Sequence, residues 1–335
     1  MTQQALPIQS PEIDRPRGGW GAVARRLLVQ PEMVTIVLFV LVFAASAATS
    51  DAFLDYRFLL NSTSLYMEVG LLALAMTFVI ISGNIDLSVG SGTALVAVAS
   101  SLAFAAGVPM PMVIPLALLM GVALGLFNAA MVTLLRLPSL TVTLGTLALY
   151  QGIAQVLLGD RSQGGFPRWF TGINYRGVGP VPMPLVIFLI AAAILGVVLA
   201  RTVFGRRVYA IGTNEAAARY SGIPVNRVKV LVFALSGLMM GAAALMLNSR
   251  LTVARYNNLP AAELAAITAV VLGGTDIFGG RGTIFGTVVA LLLLGIVKKG
   301  MGLQNVSPEY QLTVNGGLLI VAVILTNLMG RVRKR

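Results

Sequence analysis

The sequence predicts an all-α fold: a polytopic membrane protein of about ten transmembrane helices, with an internal repeat at glycine-rich turns. Three observations predict it. Hydrophobic residues fill 57% of 335 positions and charged residues only 11%, with a mean hydropathy of +0.88, more apolar surface than a soluble fold can bury. The apolar residues fall into ten runs, most of them near the ~20 residues that cross a bilayer. The 24 basic residues, against 12 acidic ones, gather in the loops between those runs, where they set orientation rather than bind nucleic acid.

Residues 1–32 are polar, with Pro7, Pro11 and Pro16 among Arg15, Arg17, Arg25 and Arg26. They read as a disordered tail running into an interfacial stretch around Trp20, Val23, Leu27 and Leu28, ahead of a membrane domain at 33–330 and a basic tail at 331–335. The first apolar run, 34–50, contains Ala45-Ser46-Ala47, which resembles a signal-peptidase site. The polar region before it is longer than a secretory leader carries, so the run reads as an uncleaved first span. Six more runs follow at 65–81, 89–106, 112–135, 140–158, 185–203 and 230–247. Two shorter ones, 261–272 and 284–297, are separated by glycines and either both cross or form a re-entrant pair. A last run at 312–328 keeps the same orientation in either case.

With the N-terminus inside, sixteen of the 24 basic residues fall in cytoplasmic segments, among them Arg136, Arg201, Arg206, Arg207, Arg281 and the basic tail. Basic loops stay in the cytoplasm, so both termini and the polar loop at 204–229 are placed there. The chain has no cysteine and no histidine. That excludes thiol chemistry, disulfides and imidazole bases or ligands, and neither a metal site nor a cofactor is expected.

The loop at 204–229 is the longest hydrophilic interruption after the N-terminal tail. Thr213 and Asn214 are good N-caps, Glu215 falls in the first turn, and Gly222 followed by Pro224 is a stop signal. A short helix from about 215 to 221 is expected, with Glu215 and Arg219 paired four residues apart. It is either an ordinary capped loop helix or one that gains its order by docking. The loop at 159–182 on the other side carries Arg161, Arg168, Trp169 and Arg176. It is either a solvated turn with an interfacial aromatic or a basic docking surface for an extracytoplasmic partner, helped by Arg250 and Arg255. Glu68, near the outer end of the second run, is a costly charge there unless it snorkels.

The repeat lies at two turns. Asp86 opens DLSVGSGT and Asp276 opens DIFGGRGT, so that Gly90, Gly92 and Thr93 match Gly280, Gly282 and Thr283 at a constant offset of 190. On one reading each aspartate caps the next helix. On the other, glycine lets the backbone leave the helix beside a cavity, as in transporters with repeated, interrupted segments. Asn84, Asp86, Ser88, Gly90, Gly92, Asp276, Gly280 and Gly282 then line the pathway or gate it.

At these residues the chain resembles the permease subunits of bacterial ABC importers for monosaccharides, the ribose, rhamnose and autoinducer-2 permease family. The resemblance covers about residue 60 to the C-terminus. Its segments are ISGNIDLSVGS at 81–91, LPSLTVTLGTLALYQG at 137–152, FGRRVYAIGTNEAAARYSGI at 204–223 and AITAVVLGGTDIFGGRGTIFGT at 266–287. It implies a bacterial inner-membrane protein that forms the pathway for a monosaccharide or similar small polyol. It further implies a coupling helix at 213–222, through which Thr213, Asn214, Glu215, Ala216, Ala217, Ala218, Arg219, Tyr220 and Gly222 meet a cytoplasmic ATP-binding subunit. The other partners implied are a second permease subunit, identical or related, and a periplasmic sugar-binding protein, with membrane lipid around the spans. GGFPRWF at 164–170 and IPVNR at 223–227 look most like the autoinducer-2 and rhamnose branches.

No Gly-Lys-Ser or Gly-Lys-Thr occurs, so this chain has no P-loop and a transport subunit would need its ATPase on a partner chain. An intramembrane aspartyl protease is a second reading, but no Gly-x-Gly-Asp precedes either aspartate. A third is a secondary transporter coupled to a proton or ion gradient through Asp86 and Asp276.

Overall fold

The computed structural model describes residues 31–49 and 51–332. The N-terminal tail up to residue 30, its interfacial stretch and the last three residues of the basic tail lie outside the described residues. All ten apolar runs are helical. The helices that carry these runs are α1 (Pro31–Thr49), α3 (Met67–Ile81), α4 (Val89–Ala105), α5 (Met110–Thr133), α6 (Ser139–Leu158), α8 (Met183–Arg201), α11 (Val225–Leu251), α12 (Ala262–Leu272), α13 (Ile284–Leu303) and α14 (Pro308–Val332). Between them lie four short helices: α2 (Tyr56–Thr63), α7 (Arg168–Thr171), α9 (Val203–Thr213) and α10 (Glu215–Tyr220).

Among the described residues, α5, α6, α8, α11 and α13 are long and apolar enough to cross a membrane, and α2 with α3 reach that length and apolarity only as a pair bent by 59°, a broken span or a re-entrant loop. The run at 261–272 is as short as the sequence indicates. At 1.5 Å per residue α12 covers about 16 Å, roughly half a hydrocarbon core of ~30 Å. Proline marks the helix starts: Pro109, Pro138 and Pro182 precede α5, α6 and α8 with extended backbone, where a missing N–H costs nothing. Two-residue strands clip the loops, β1 (Gln163–Gly164) to β4 (Val253–Ala254) and β2 (Gly177–Val178) to β3 (Val181–Pro182), both antiparallel.

One stretch departs from expectation. The polar loop begins as a helix, α9, entered one residue after α8 through Thr202, whose Oγ1 accepts from the Gly205 N–H at 3.2 Å. Two glycines and two arginines in eleven residues suggest a loop, yet Gly205, Val208 and Ile211 form a buried face that holds the helix down.

The bundle is built around α3, which buries all but one of its 15 residues. It is apolar on every side, as a helix enclosed by others must be. Beside it α5 and α11 cross with backbone touching backbone. Gly121 and Gly125 on α5 face Gly237 and Gly241 on α11, so two G-x-x-x-G pairs meet. A Cβ added at Gly125 would strike the Phe233 carbonyl oxygen and sit 3.0 Å from Gly237 Cα. Polar side chains tie further helices: Asn248 Nδ2 donates to the Ala97 carbonyl at 2.9 Å, joining α11 to α4, and the Thr77 and Thr287 hydroxyls meet at 2.8 Å, joining α3 to α13.

The crossing sets a test. Gly125→Leu forces α5 off α11 and is expected to destabilise the detergent-solubilised protein by about 1–3 kcal/mol or more. Gly152→Leu, at a glycine with open space around it, should leave the thermal unfolding midpoint unchanged. Equal midpoints for the two variants would show that the glycine contact does not hold the helices.

Candidate functional site

The short helix predicted in the polar loop is α10. Asn214 caps it, its Oδ1 accepting from the Ala217 N–H at 2.9 Å, a contact worth about 1 kcal/mol. Thr213 instead ends α9, donating its hydroxyl to the Tyr209 carbonyl at 2.9 Å. Gly222, with φ of +78°, closes the C-terminus where a left-handed residue is needed. Glu215 pairs with Arg219 at 3.1 Å, and also with Lys229 of α11 at 2.7 Å. Partial burial pushes the Glu215 carboxyl up, but the bond and charge of Lys229, then those of Arg219, outweigh this and hold it below the ordinary glutamate value. The pairing is therefore present at neutral pH and is lost only as acid protonates the carboxylate. Ala218 points inward, whereas Ala216, Ala217 and Tyr220 face out, Tyr220 at 93% exposure.

At the two glycine-rich turns the repeat holds locally. Asp86 Oδ1 accepts from the Ser88 N–H, and Asp276 Oδ1 from the Phe278 N–H, both at 3.0 Å. Beyond that they diverge. After Asp86 the chain is helical from Val89, so Gly90 and Gly92 lie inside α4 rather than opening it. What they provide is room: a Cβ at Gly90 would strike the Glu263 carboxylate, and one at Gly92 would lie 2.6 Å from the Met240 sulfur. After Asp276 the chain stays irregular to Thr283, and Gly280 and Gly282 have φ of +77° and +153°.

Asp86 is fully buried. It also accepts from the hydroxyls of Ser88 at 2.6 Å and Ser236 at 2.7 Å. Asn128 Nδ2 donates to Ser88 Oγ at 2.8 Å, and the Tyr150 hydroxyl donates to the Leu124 carbonyl at 3.0 Å. Ser236 lies about 16 Å along α11 from its start, so Asp86 sits deep in the bundle and not at the surface where a simple cap would be. Asn84 is buried nearby and donates to Ser82. Asp276 is only half-buried and serves its own turn, its N–H donating to the Arg281 carbonyl at 3.0 Å.

The two turns meet each other and α9 through their backbones. The Gly280 N–H donates to the Ile81 carbonyl at 2.8 Å. A Cβ at Gly212 would strike that same carbonyl and lie 2.5 Å from Gly280 N, and one at Gly279 would lie 2.9 Å from Gly83 N. Tyr209 donates its hydroxyl to the Gly282 carbonyl at 2.7 Å, and Phe204 stacks on Phe78 with centroids 6.1 Å apart. The helix leading into α10 is thus keyed to the end of α3 and to the second turn at once. A cavity of about 820 Å³ opens beside this junction.

At the opposite end of the bundle, Arg161, Arg168 and Trp169 are all exposed. Phe166 and Phe170 anchor their loop against Phe104, Met110 and Val113. Arg255 is exposed with them, but Arg250 is not available to a partner: its Nε donates to Glu68 Oε1 at 2.7 Å. Glu68 does not snorkel either, since it is fully buried in that pair. The two residues are 182 positions apart, which is why neither could be assigned a partner from the sequence. Among the described residues no cluster of acidic side chains could hold a metal ion.

Comparison with known proteins adds to this geometry. A family described as "Branched-chain amino acid transport system / permease component" matches residues 58–323. The "Autoinducer 2 import system permease protein LsrD" of Escherichia coli (strain K12) is 40% identical over 299 residues, covering 88% of this chain and 91% of that one. The protein of the same name from Shigella flexneri has the same identity and coverage. No solved structure matches the chain significantly.

The junction predicts an ordering of glycine substitutions. Gly212→Ala has no space for its methyl group and should destabilise the protein by about 1–3 kcal/mol. Gly222→Ala meets only backbone strain, of about 1 kcal/mol. Thermal unfolding of both purified variants checks this, and a Gly212→Ala midpoint at or above that of Gly222→Ala would contradict it.

Proposed function

The chain belongs to the permease-component family of branched-chain amino acid transport systems, and on that premise we propose that it is the membrane permease subunit of an ABC importer. It forms the pathway for a monosaccharide or similar small polyol. The likeness to LsrD favours autoinducer-2 within the ribose, rhamnose and autoinducer-2 class. Its partners are a cytoplasmic ATP-binding subunit, a second permease subunit, identical or related, and a periplasmic sugar-binding protein. ATP hydrolysis takes place on the partner, and this chain catalyses nothing.

The observation that carries the reading is the junction of α9 with both glycine-rich turns. Ala216, Ala217 and Tyr220 of α10 present a low, exposed face for the ATP-binding subunit. A push on that face passes through Gly212 to Ile81 and Gly280 by contacts that have no slack. The buried α3 and the irregular segment after Leu272 then move together, and the segment around Asp86 gates the pathway between them. Arg161, Arg168 and Trp169, at the other end, receive the binding protein.

Reconstitution with the ATP-binding and binding-protein partners tests the function. Uptake of autoinducer-2 should depend on ATP, survive an uncoupler, and exceed uptake of ribose. Ala217→Arg should abolish ligand-stimulated ATP turnover while the protein still inserts, although a merely solvated helix would accept arginine at little cost. Uptake that persists without ATP and stops with an uncoupler would instead identify a secondary carrier.

The orientation, both termini cytoplasmic, is supported by the distribution of basic residues. A reporter active only in the periplasm, inserted near Gly164, should give signal and should be silent at Ala216. The reverse pattern would invert the topology.

A further inference from the structure

The cavity beside α10 is a basic cleft with an aromatic rim, and coupling through α10 alone leaves both features unused. Arg219 and Lys229 line it and share the one carboxylate of Glu215. Arg136 lines it as well, without an ion pair among the described residues. Three cations against one carboxylate leave the cleft with positive charge in excess. Arg136 also holds a φ of +56°, an uncommon backbone for a residue with a side chain.

Phe278 stands on the rim at the tip of the second turn, 80% exposed. Its turn is rigid, because Asp276 accepts from the Phe278 N–H and the Gly279 N–H donates to the Asp276 carbonyl at 2.9 Å. On the α10 side Tyr220 follows Arg219 and is more exposed still. An exposed aromatic ring on a cleft that also holds an unpaired arginine is the composition of an interface anchor, whereas an aqueous face gains nothing from it. Lipid would not call for a polar lining such as Asn84 and Ser139.

We propose that the ATP-binding partner covers this cleft, seating one of its carboxylate side chains between Arg136 and the Arg219 and Lys229 pair and gripping Phe278 on its rim together with Tyr220, the exposed neighbour of Arg219 on α10. The inference rests on the importer reading and extends the partner's footprint from one helix to two elements. It gives the partner a second grip on α3, since the turn that carries Phe278 reaches Ile81 through Gly280.

The test titrates the purified ATP-binding subunit against the full-length chain in nanodiscs, one set of zwitterionic lipid and one containing phosphatidylglycerol. Phe278→Ala and Arg136→Glu should each weaken binding roughly tenfold to thirtyfold in both lipids. Phe278→Leu should recover most of the lost affinity, and Arg136→Glu should flatten the salt dependence of binding. Both positions are exposed, so unchanged thermal unfolding midpoints accompany the expected result. Wild-type affinity for both variants, with Ala217→Arg still abolishing binding, would confine the footprint to α10 and overturn the proposal while leaving the importer intact. Loss confined to phosphatidylglycerol nanodiscs would assign the cleft to a lipid headgroup and also overturn it. Normal binding and ATP turnover in Ala217→Arg would end the docking role of α10 on which the cleft's occupant is argued, and overturn the proposal with it, whereas only uptake that persists without ATP and stops with an uncoupler would remove the importer reading.

Discussion

Direct contact of backbone on backbone at glycine holds this bundle together. Between apolar helices in a membrane there is little hydrophobic drive, because lipid tails are as apolar as leucine, so cohesion comes from close packing and interhelical hydrogen bonds. Gly121 and Gly125 against Gly237 and Gly241 bring α5 and α11 into that contact. Gly212, Gly279 and Gly280 do the same where α9 meets the ends of α3 and of the second turn. The surfaces left on the far sides of α5, α6 and α8 are broad and apolar.

The buried polar groups follow from that closeness. Asp86 is tolerable inside because three donors from Ser88 and Ser236 reach it, and a buried carboxylate without them would be prohibitively costly. Ser236, which supplies one of them, stands next to Gly237, where α11 lies against α5. Glu68 and Arg250 form the comparable pair near the other end, where removing either partner would strand a charge. Polar contacts of this kind add register to a crossing that packing alone leaves free to slide.

The two aspartate turns show how one local motif serves two ends. Both use the carboxylate to accept the N–H two residues on, as short Asx turns do. The first is then roofed by α5, α6 and α11 and becomes part of the interior. The second remains at the surface, with Phe278 on its tip, and touches the first through Gly280. A motif that looks duplicated in sequence is thus one buried turn and one surface turn, the second hydrogen-bonded to the end of α3 just ahead of the first.

The sequence by itself determined the class of the fold, the ten helical runs and the bounds of α10, because these rest on composition and on neighbours within four residues. Asn214, Glu215, Arg219 and Gly222 act on their own helix, and all were legible. Only the tertiary structure decided which side of each helix is interior. Hydrophobic periodicity cannot show it where lipid and protein core are equally apolar, and α3, uniform on every face, gives no hint that it is the centre. It also decided that Arg250 belongs to Glu68, that Lys229 joins Glu215, and that Asp86 is enclosed while Asp276 is not. The G-x-x-x-G spacing on α5 and α11 was the one signal present in the sequence for the crossing. Two such motifs do not name each other as partners, because pairing depends on contacts more than a hundred residues apart.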